Sequence, residues 1–249
     1  MLDVIKKILN LIYPESIYCI CCGSIIDRSR SYSICDNCIE KLMWIGGKTC
    51  KKCGKPLQEE YLHDICRDCR EVKHYFDKGY TCTQYGLYER ALIMDFKYGG
   101  RSYLGRVIGN IMADRIILEE ETWDALIPIP INKKRRNKRG YNQAEIIAYQ
   151  IAKRLDIPVE RDVLLRKKNT LPMKDLGVYA RRENLEGAFK IAERNTCKIK
   201  EKKILLIDDI YTTGSTLDAA AKELKLSGTG RVDALTFATG GNMIKDSES

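Results

Sequence analysis

No stretch of about 18 uncharged apolar residues occurs in this chain of 249 residues, so no membrane-spanning helix is expected. A secretory leader is also missing. The start, MLDVIKKILNLIYP, has an early aspartate, two lysines inside its apolar stretch and no small-residue cleavage site. Val4, Ile5, Ile8, Leu9 and Ile12 instead share one face of a short amphipathic helix, expected to dock on the protein's own body. Histidine is scarce: only His63 and His74 occur, and both are expected at the surface rather than on a metal. Past residue 82, cysteine is absent except for Cys197. With no secretory features, a reducing cytoplasmic setting is expected, which disfavours disulfides. Acidic residues are in deficit, 34 against 43 basic, for a formal charge of +9. That balance favours anionic partners such as phosphates, nucleic acid or acidic membranes, without choosing among them. Apolar residues make up 44% and the mean hydropathy is −0.34, enough to bury a core in a soluble protein.

Ten of the eleven cysteines lie between Cys19 and Cys82. Cys19, Cys22, Cys35 and Cys38 are spaced C-x2-C-x12-C-x2-C, and Cys50, Cys53, Cys66 and Cys69 repeat that spacing 31 residues later. A glycine follows the second cysteine in both units, Gly23 and Gly54, where a metal knuckle bends the backbone sharply. The units read as tandem copies of one small module. Four thiolates at such spacing suit tetrahedral Zn2+ and leave no open coordination position, so two structural zinc sites are expected. Both a sequential grouping of the cysteines and a cross-braced one are compatible with the spacing. Cys21, Cys82 and Cys197 read as bystanders.

From about residue 79 strand-like and helix-like segments alternate. Strands are expected at Tyr80–Tyr85, Ala125–Ile129, Ile204–Ile207 and Val232–Ala238. Helices are expected at Arg90–Phe96, Leu104–Leu118, Asn142–Leu155 and Thr216–Leu226, the last stopped by Gly228. This pattern predicts an α/β domain over 79–249, an open, mostly parallel sheet with helices on both faces, behind an N-terminal metal-binding region over 1–78.

The most informative stretch is Ile204–Leu217, ILLIDDIYTTGSTL. Four apolar residues fit a strand covered on both faces. Asp208–Ser215 then reads as the loop at its carboxyl end, where ligands of open α/β sheets bind. Thr212, Thr213, Gly214, Ser215 and Thr216 offer backbone N–H groups and hydroxyls to a phosphate, backed by a helix N-terminus. Asp208 and Asp209 would repel a phosphate. They suit a sugar diol or a hydrated Mg2+.

This stretch resembles the 5-phosphoribosyl-1-pyrophosphate (PRPP) motif of type I phosphoribosyltransferases. The tandem cysteine modules, IPIPINKKRRNKRGYNQAE and RRENLEGAF extend the likeness, over nearly the whole chain, to the ComF family of competence-associated, phosphoribosyltransferase-like proteins. The resemblance implies Mg2+-PRPP held by Asp208, Asp209 and Thr212–Thr216, with the two aspartates as the catalytic pair. It implies pyrophosphate contacts from Lys138 and Arg139, beside Gly140, and a lid bearing Arg181 and Arg182. Met173 departs from the pattern, which commonly has glutamine there.

Two functions follow. One is single-stranded DNA handling during DNA uptake, with uptake-machinery proteins as partners. Lys133, Lys134, Arg135 and Arg136 are then the candidate nucleic-acid contacts, although a solvated loop is the plainer reading of such a run. The other is an active phosphoribosyltransferase of nucleotide metabolism, acting on ammonia or a nucleobase. No acceptor site is recognisable in the sequence for it.

Overall fold

The computed structural model describes residues 17–167, 185 and 187–240. The N-terminal amphipathic segment and the expected lid, with Met173, Arg181 and Arg182, lie outside the described residues.

The sheet at the centre has four parallel strands in the order β1-β6-β5-β2: β1 (Gly79–Gln84), β2 (Ala125–Pro128), β5 (Lys203–Tyr211) and β6 (Arg231–Thr239). Ile204–Ile207 are all buried, as an uninterrupted apolar run requires of a strand covered on both sides. Alternation splits them: Leu205 and Ile207 join one core, Ile204 and Leu206 the other. The first core is built on α3 (Leu87–Tyr98), α4 (Leu104–Ile117) and α6 (Gln143–Leu155). The second is built on α7 (Ser215–Leu226), through Leu217, Ala220, Ala221 and Leu224. A two-stranded antiparallel pair, β3 (Leu164–Arg166) with β4 (Phe189–Ile191), stands apart from the sheet and was not foreseen.

The two cysteine modules, each with one short helix, α1 (Asp36–Ile39) and α2 (Arg67–Glu71), divide between these cores. Cys19, Cys38, Ile26 and Ile34 pack into the first, and Cys50, Cys53 and Cys66 into the second. The tandem unit therefore straddles the sheet. The segment joining its halves runs along the β1 edge, where Ile45 N donates to Cys82 O at 2.9 Å and Gln84 N to Met43 O at 2.8 Å. That pairing covers an edge that would otherwise stand open.

Three expectations need correction. β5 does not stop at Ile207. It continues through Tyr211, in register with Thr236–Thr239 of β6, so both aspartates lie on the strand rather than in a loop. The basic run is not a loop but a short helix, α5 (Lys133–Arg139). Asn132 Oδ1 caps it by accepting from Arg135 N at 2.7 Å, and Gly140 ends it at φ 82°. His74 is not on the surface: it is buried, with Nδ1 2.6 Å from Asp218 Oδ2.

Candidate functional site

β5 outruns its neighbour. Its pairing with β2 ends at Pro128 opposite Ile207, whereas its pairing with β6 runs on to Tyr211. Asp208 and Asp209 thus stand where β5 passes the end of β2. Helix α6, which follows β2, and α7, which follows β5, pack on opposite faces. A crevice opens at such a point in an open α/β sheet.

The two carboxylates have different surroundings. Asp209 is buried and paired with Lys97 Nζ at 2.6 Å. Its backbone N donates to Asp208 Oδ1 at 2.9 Å. Burial, and then the neighbouring Asp209 charge, push the Asp208 carboxyl up to about 7, with Lys97 and Arg166 pulling the other way. Asp208 therefore titrates near neutrality, and a bound cation would favour its ionised form.

Beyond Tyr211 the chain makes a tight loop into α7. Gly214 has φ 76°, and a Cβ there would lie 2.7 Å from the Tyr211 hydroxyl, so conformation and space both demand glycine. Among the described residues no side chain caps this helix start, and Thr213 and Ser215 hydroxyls lie 2.8 Å apart beside it. Uncapped N–H groups with hydroxyls beside them form an anion cradle. The first turn is fixed from behind. Asp218 accepts from Tyr75 N at 2.9 Å and holds His74, whose ring stacks on Phe76 at 4.8 Å. Phe76 meets Tyr211 edge-on at 6.2 Å, and Lys55, paired to Asp68 at 2.7 Å, sits over the other aromatic partner, Tyr211, at 5.6 Å.

Lys97 and Arg166 were missed by sequence reasoning. Lys97 comes from the last turn of α3, and Arg166 from the end of β3, where its Nη1 donates to Pro130 O at 3.5 Å. Neither has a spacing relation to the aspartates. The only sequence cue is the Gly99-Gly100 pair that stops α3 just after Lys97. Of the basic run, Arg135 is close enough to Arg166 to oppose its charge. Arg136 pairs with Glu145 at 3.4 Å. Arg139 bonds Gln143 Oε1 and the Tyr98 hydroxyl, both at 3.0 Å. Lys133, Lys134 and Lys138 are exposed. Asn142 Oδ1 and Gln143 Nε2 are buried without a partner among the described residues.

The cysteines form two four-sulfur groups, 19/22/35/38 and 50/53/66/69, with the sulfurs of each group within 4.8 Å of one another. This is the sequential grouping. The Cys22–Cys35 and Cys53–Cys66 sulfur separations are both 3.7 Å. A tetrahedral ion with Zn–S bonds of about 2.3 Å requires about 3.8 Å between sulfurs. Backbone amides of Cys35 and Cys66 point at the sulfurs of Cys19 and Cys50, at 3.4 and 3.2 Å. The donor set and spacing fit zinc.

Two family models match separate parts of the chain. A double zinc ribbon domain model matches residues 8–70, and a phosphoribosyl transferase domain model matches residues 138–248. "Competence protein F" of Haemophilus influenzae is 28% identical over 215 residues, covering 84% of this chain and 91% of that protein. "Competence protein ComFC" of Bacillus subtilis is 28% identical over 203 residues, 76% of each chain. "DNA utilization protein YhgH" of Escherichia coli O157:H7 is 23% identical over 188 residues, 74% of this chain and 80% of that one.

Proposed function

We propose that this chain, a double zinc ribbon joined to a phosphoribosyltransferase domain with competence proteins among its relatives, is a ComF-type protein that binds Mg2+-PRPP and handles single-stranded DNA during DNA uptake. One observation carries the ligand reading: paired carboxylates at the end of the central strand lead directly into an uncapped, glycine-bent helix start. In this reading Asp208 and Asp209 receive the ribose diol, and the backbone and hydroxyls of Thr212–Thr216 receive the 5-phosphate. Lys97 neutralises Asp209 while no ligand is bound. Arg166, Lys138 and Arg139 offer positive charge to the pyrophosphate, and Mg2+ would supply further charge neutralisation. The zinc ions are structural. The names of the relatives, the charge of +9 and the exposed basic face of α5, including Lys133 and Lys134, support the DNA reading and a cytoplasmic setting.

The phosphoribosyl transferase domain model over residues 138–248 favours a second reading, turnover of PRPP with a nitrogen nucleophile. Thermal shift separates ligand binding from none. At about 100 times Kd, Mg2+-PRPP should stabilise the zinc-loaded protein by about 2.7 kcal/mol, and ribose-5-phosphate by less. No shift, or an undiminished shift after Asp208→Asn with Asp209→Asn, would overturn the assignment. Pyrophosphate release with candidate acceptors then tests turnover.

A further inference from the structure

We propose that the cleft between the first zinc ribbon and helices α4 and α6 seats a single-stranded nucleic acid, which continues along Lys97–Arg106 to the carboxylate site. This rests on the nucleic-acid reading above and moves the contact away from α5.

A single strand is held by cations that follow its phosphates and by aromatic faces that stack its bases. Helix α5 offers only the first. Its exposed lysines and arginines project from seven residues with no aromatic among them. The cleft offers both. Its volume is about 1260 Å3, beyond the range of about 300–1,000 Å3 typical of small-molecule pockets, which favours a polymer over a mononucleotide. Arg28 and Arg30 line the ribbon wall, and Arg101, Arg106 and Lys153 line the helix wall. Among the described lining residues the one carboxylate is Asp95, which Arg101 already bridges at 2.9 Å. Arg30 is held by Asp27 and Asp36 outside the lining, so its share of the field is reduced. Arg28 and Lys153, one on each wall, are the cations assigned to the phosphates.

Tyr18 faces in from the ribbon and Tyr103 from the start of α4, 57% and 46% exposed. Those exposures leave ring faces open for stacking. Tyr32 is a wall residue instead, its hydroxyl fixed on Asp114 at 2.7 Å. The wall also carries Asn110 and Gln150, amides bonded to each other at 2.8 Å that can re-pair with base edges.

The path to the site is short in sequence. Lys97 holds Asp209 at 2.6 Å, and Tyr98, 60% exposed, lies 4.8 Å beneath the Arg139 guanidinium. The chain then turns through Gly99 and Gly100 and presents Arg101, Tyr103 and Arg106 to the cleft. Tyrosines and basic side chains therefore alternate over residues 97–106, between the carboxylate pair and the cleft. Bases in a duplex hide their faces, so this strip selects single strands.

The test is fluorescence anisotropy of the full-length, zinc-loaded protein with a labelled oligothymidylate of about 15 nucleotides, over a salt series. Tyr103→Ala should weaken binding about tenfold, and Tyr103→Phe should restore it. Arg28→Gln with Lys153→Gln should flatten the log–log salt slope by about 1.4, and duplex DNA should compete poorly. Unchanged melting temperatures show that the variants are folded. If the wild type binds but these variants match it in affinity and slope, the cleft assignment is wrong and the nucleic-acid reading survives. If only Lys133→Ala with Lys134→Ala weakens binding, the contact lies on α5 and the cleft is again excluded. A wild-type protein with no salt-dependent binding removes the nucleic-acid reading and the cleft with it.

Discussion

At the residue scale, Asp208 sets the behaviour of the free protein. Its carboxyl is pushed from an ordinary value near 4 up to about 7, chiefly by burial and then by the Asp209 charge. The sign follows from linkage. The folded state holds this proton more tightly than the unfolded chain, so the contribution is fully present below about pH 4 and is lost as pH rises through about 7. Melting temperatures of the ligand-free protein should fall from about pH 5 to about pH 8 at the expense of this group, and Asp208→Asn should flatten that part of the curve. A dependence identical in wild type and variant would contradict the assignment. Gly214 allows a second test. Alanine there must adopt φ 76° and push its Cβ against the Tyr211 hydroxyl. Urea denaturation of Gly214→Ala should show a loss of about 1–3 kcal/mol, with a weaker PRPP shift. These residues differ in how far the sequence disclosed them. Asp208, Asp209 and Gly214 stand together in one stretch, so local spacing was enough to group them as candidates. Lys97 and Arg166 reach the carboxylates through tertiary folding from helix and strand ends, which spacing does not encode. His74 was misjudged because its burial depends on Asp218, 144 residues away.

At the scale of elements, the start of α7 is held by the tail of the second ribbon. Asp218 gathers His74 and Tyr75 N, and Phe76 bears on Tyr211. Removing the carboxylate leaves a buried imidazole nitrogen and a backbone N–H without their acceptor. Asp218→Ala should therefore cost about 3 kcal/mol, read from urea unfolding. It should also increase amide exchange at 212–216, outside the Asp208 and Asp209 pair itself. Unaltered exchange there would mean that the ribbon tail does not position the loop. The parallel strands were legible because apolar runs such as Ile204–Ile207 have one explanation, burial on both faces. The extension of β5 to Tyr211 was not, since an acidic pair followed by threonines reads as loop chemistry. Only its register with β6 makes it strand. Helix α5 carried its own signals, Asn132 before it and Gly140 after it, but six basic residues in a window of seven suggested a solvated loop.

At the scale of the whole molecule, the two ribbons are not an appendage. Each contributes cysteines to one of the two cores that sandwich the sheet. The repeat of cysteine spacing was plain in the sequence, but its division across the sheet was not, because nothing local says which face a module will cover. The division has an asymmetric consequence. The second ribbon shares its core with α7 and with Tyr211, which leads into the loop before it, and the first does not. Loss of metal from the second site, by Cys66→Ser, should reduce the PRPP-induced thermal shift more than loss from the first, by Cys22→Ser. Metal content per chain should confirm that each variant keeps the other ion. Equal reductions would mean that the ribbons act only through global stability.

The central claim is that the carboxylate pair and the glycine-bent loop form one PRPP site. Calorimetric titration of the zinc-loaded protein with PRPP in the presence of Mg2+ tests it most directly. Saturable binding of one ligand per chain is expected, abolished by Asp208→Asn with Asp209→Asn and dependent on Mg2+. Absence of binding to the wild type, or binding that survives the double substitution, would contradict it.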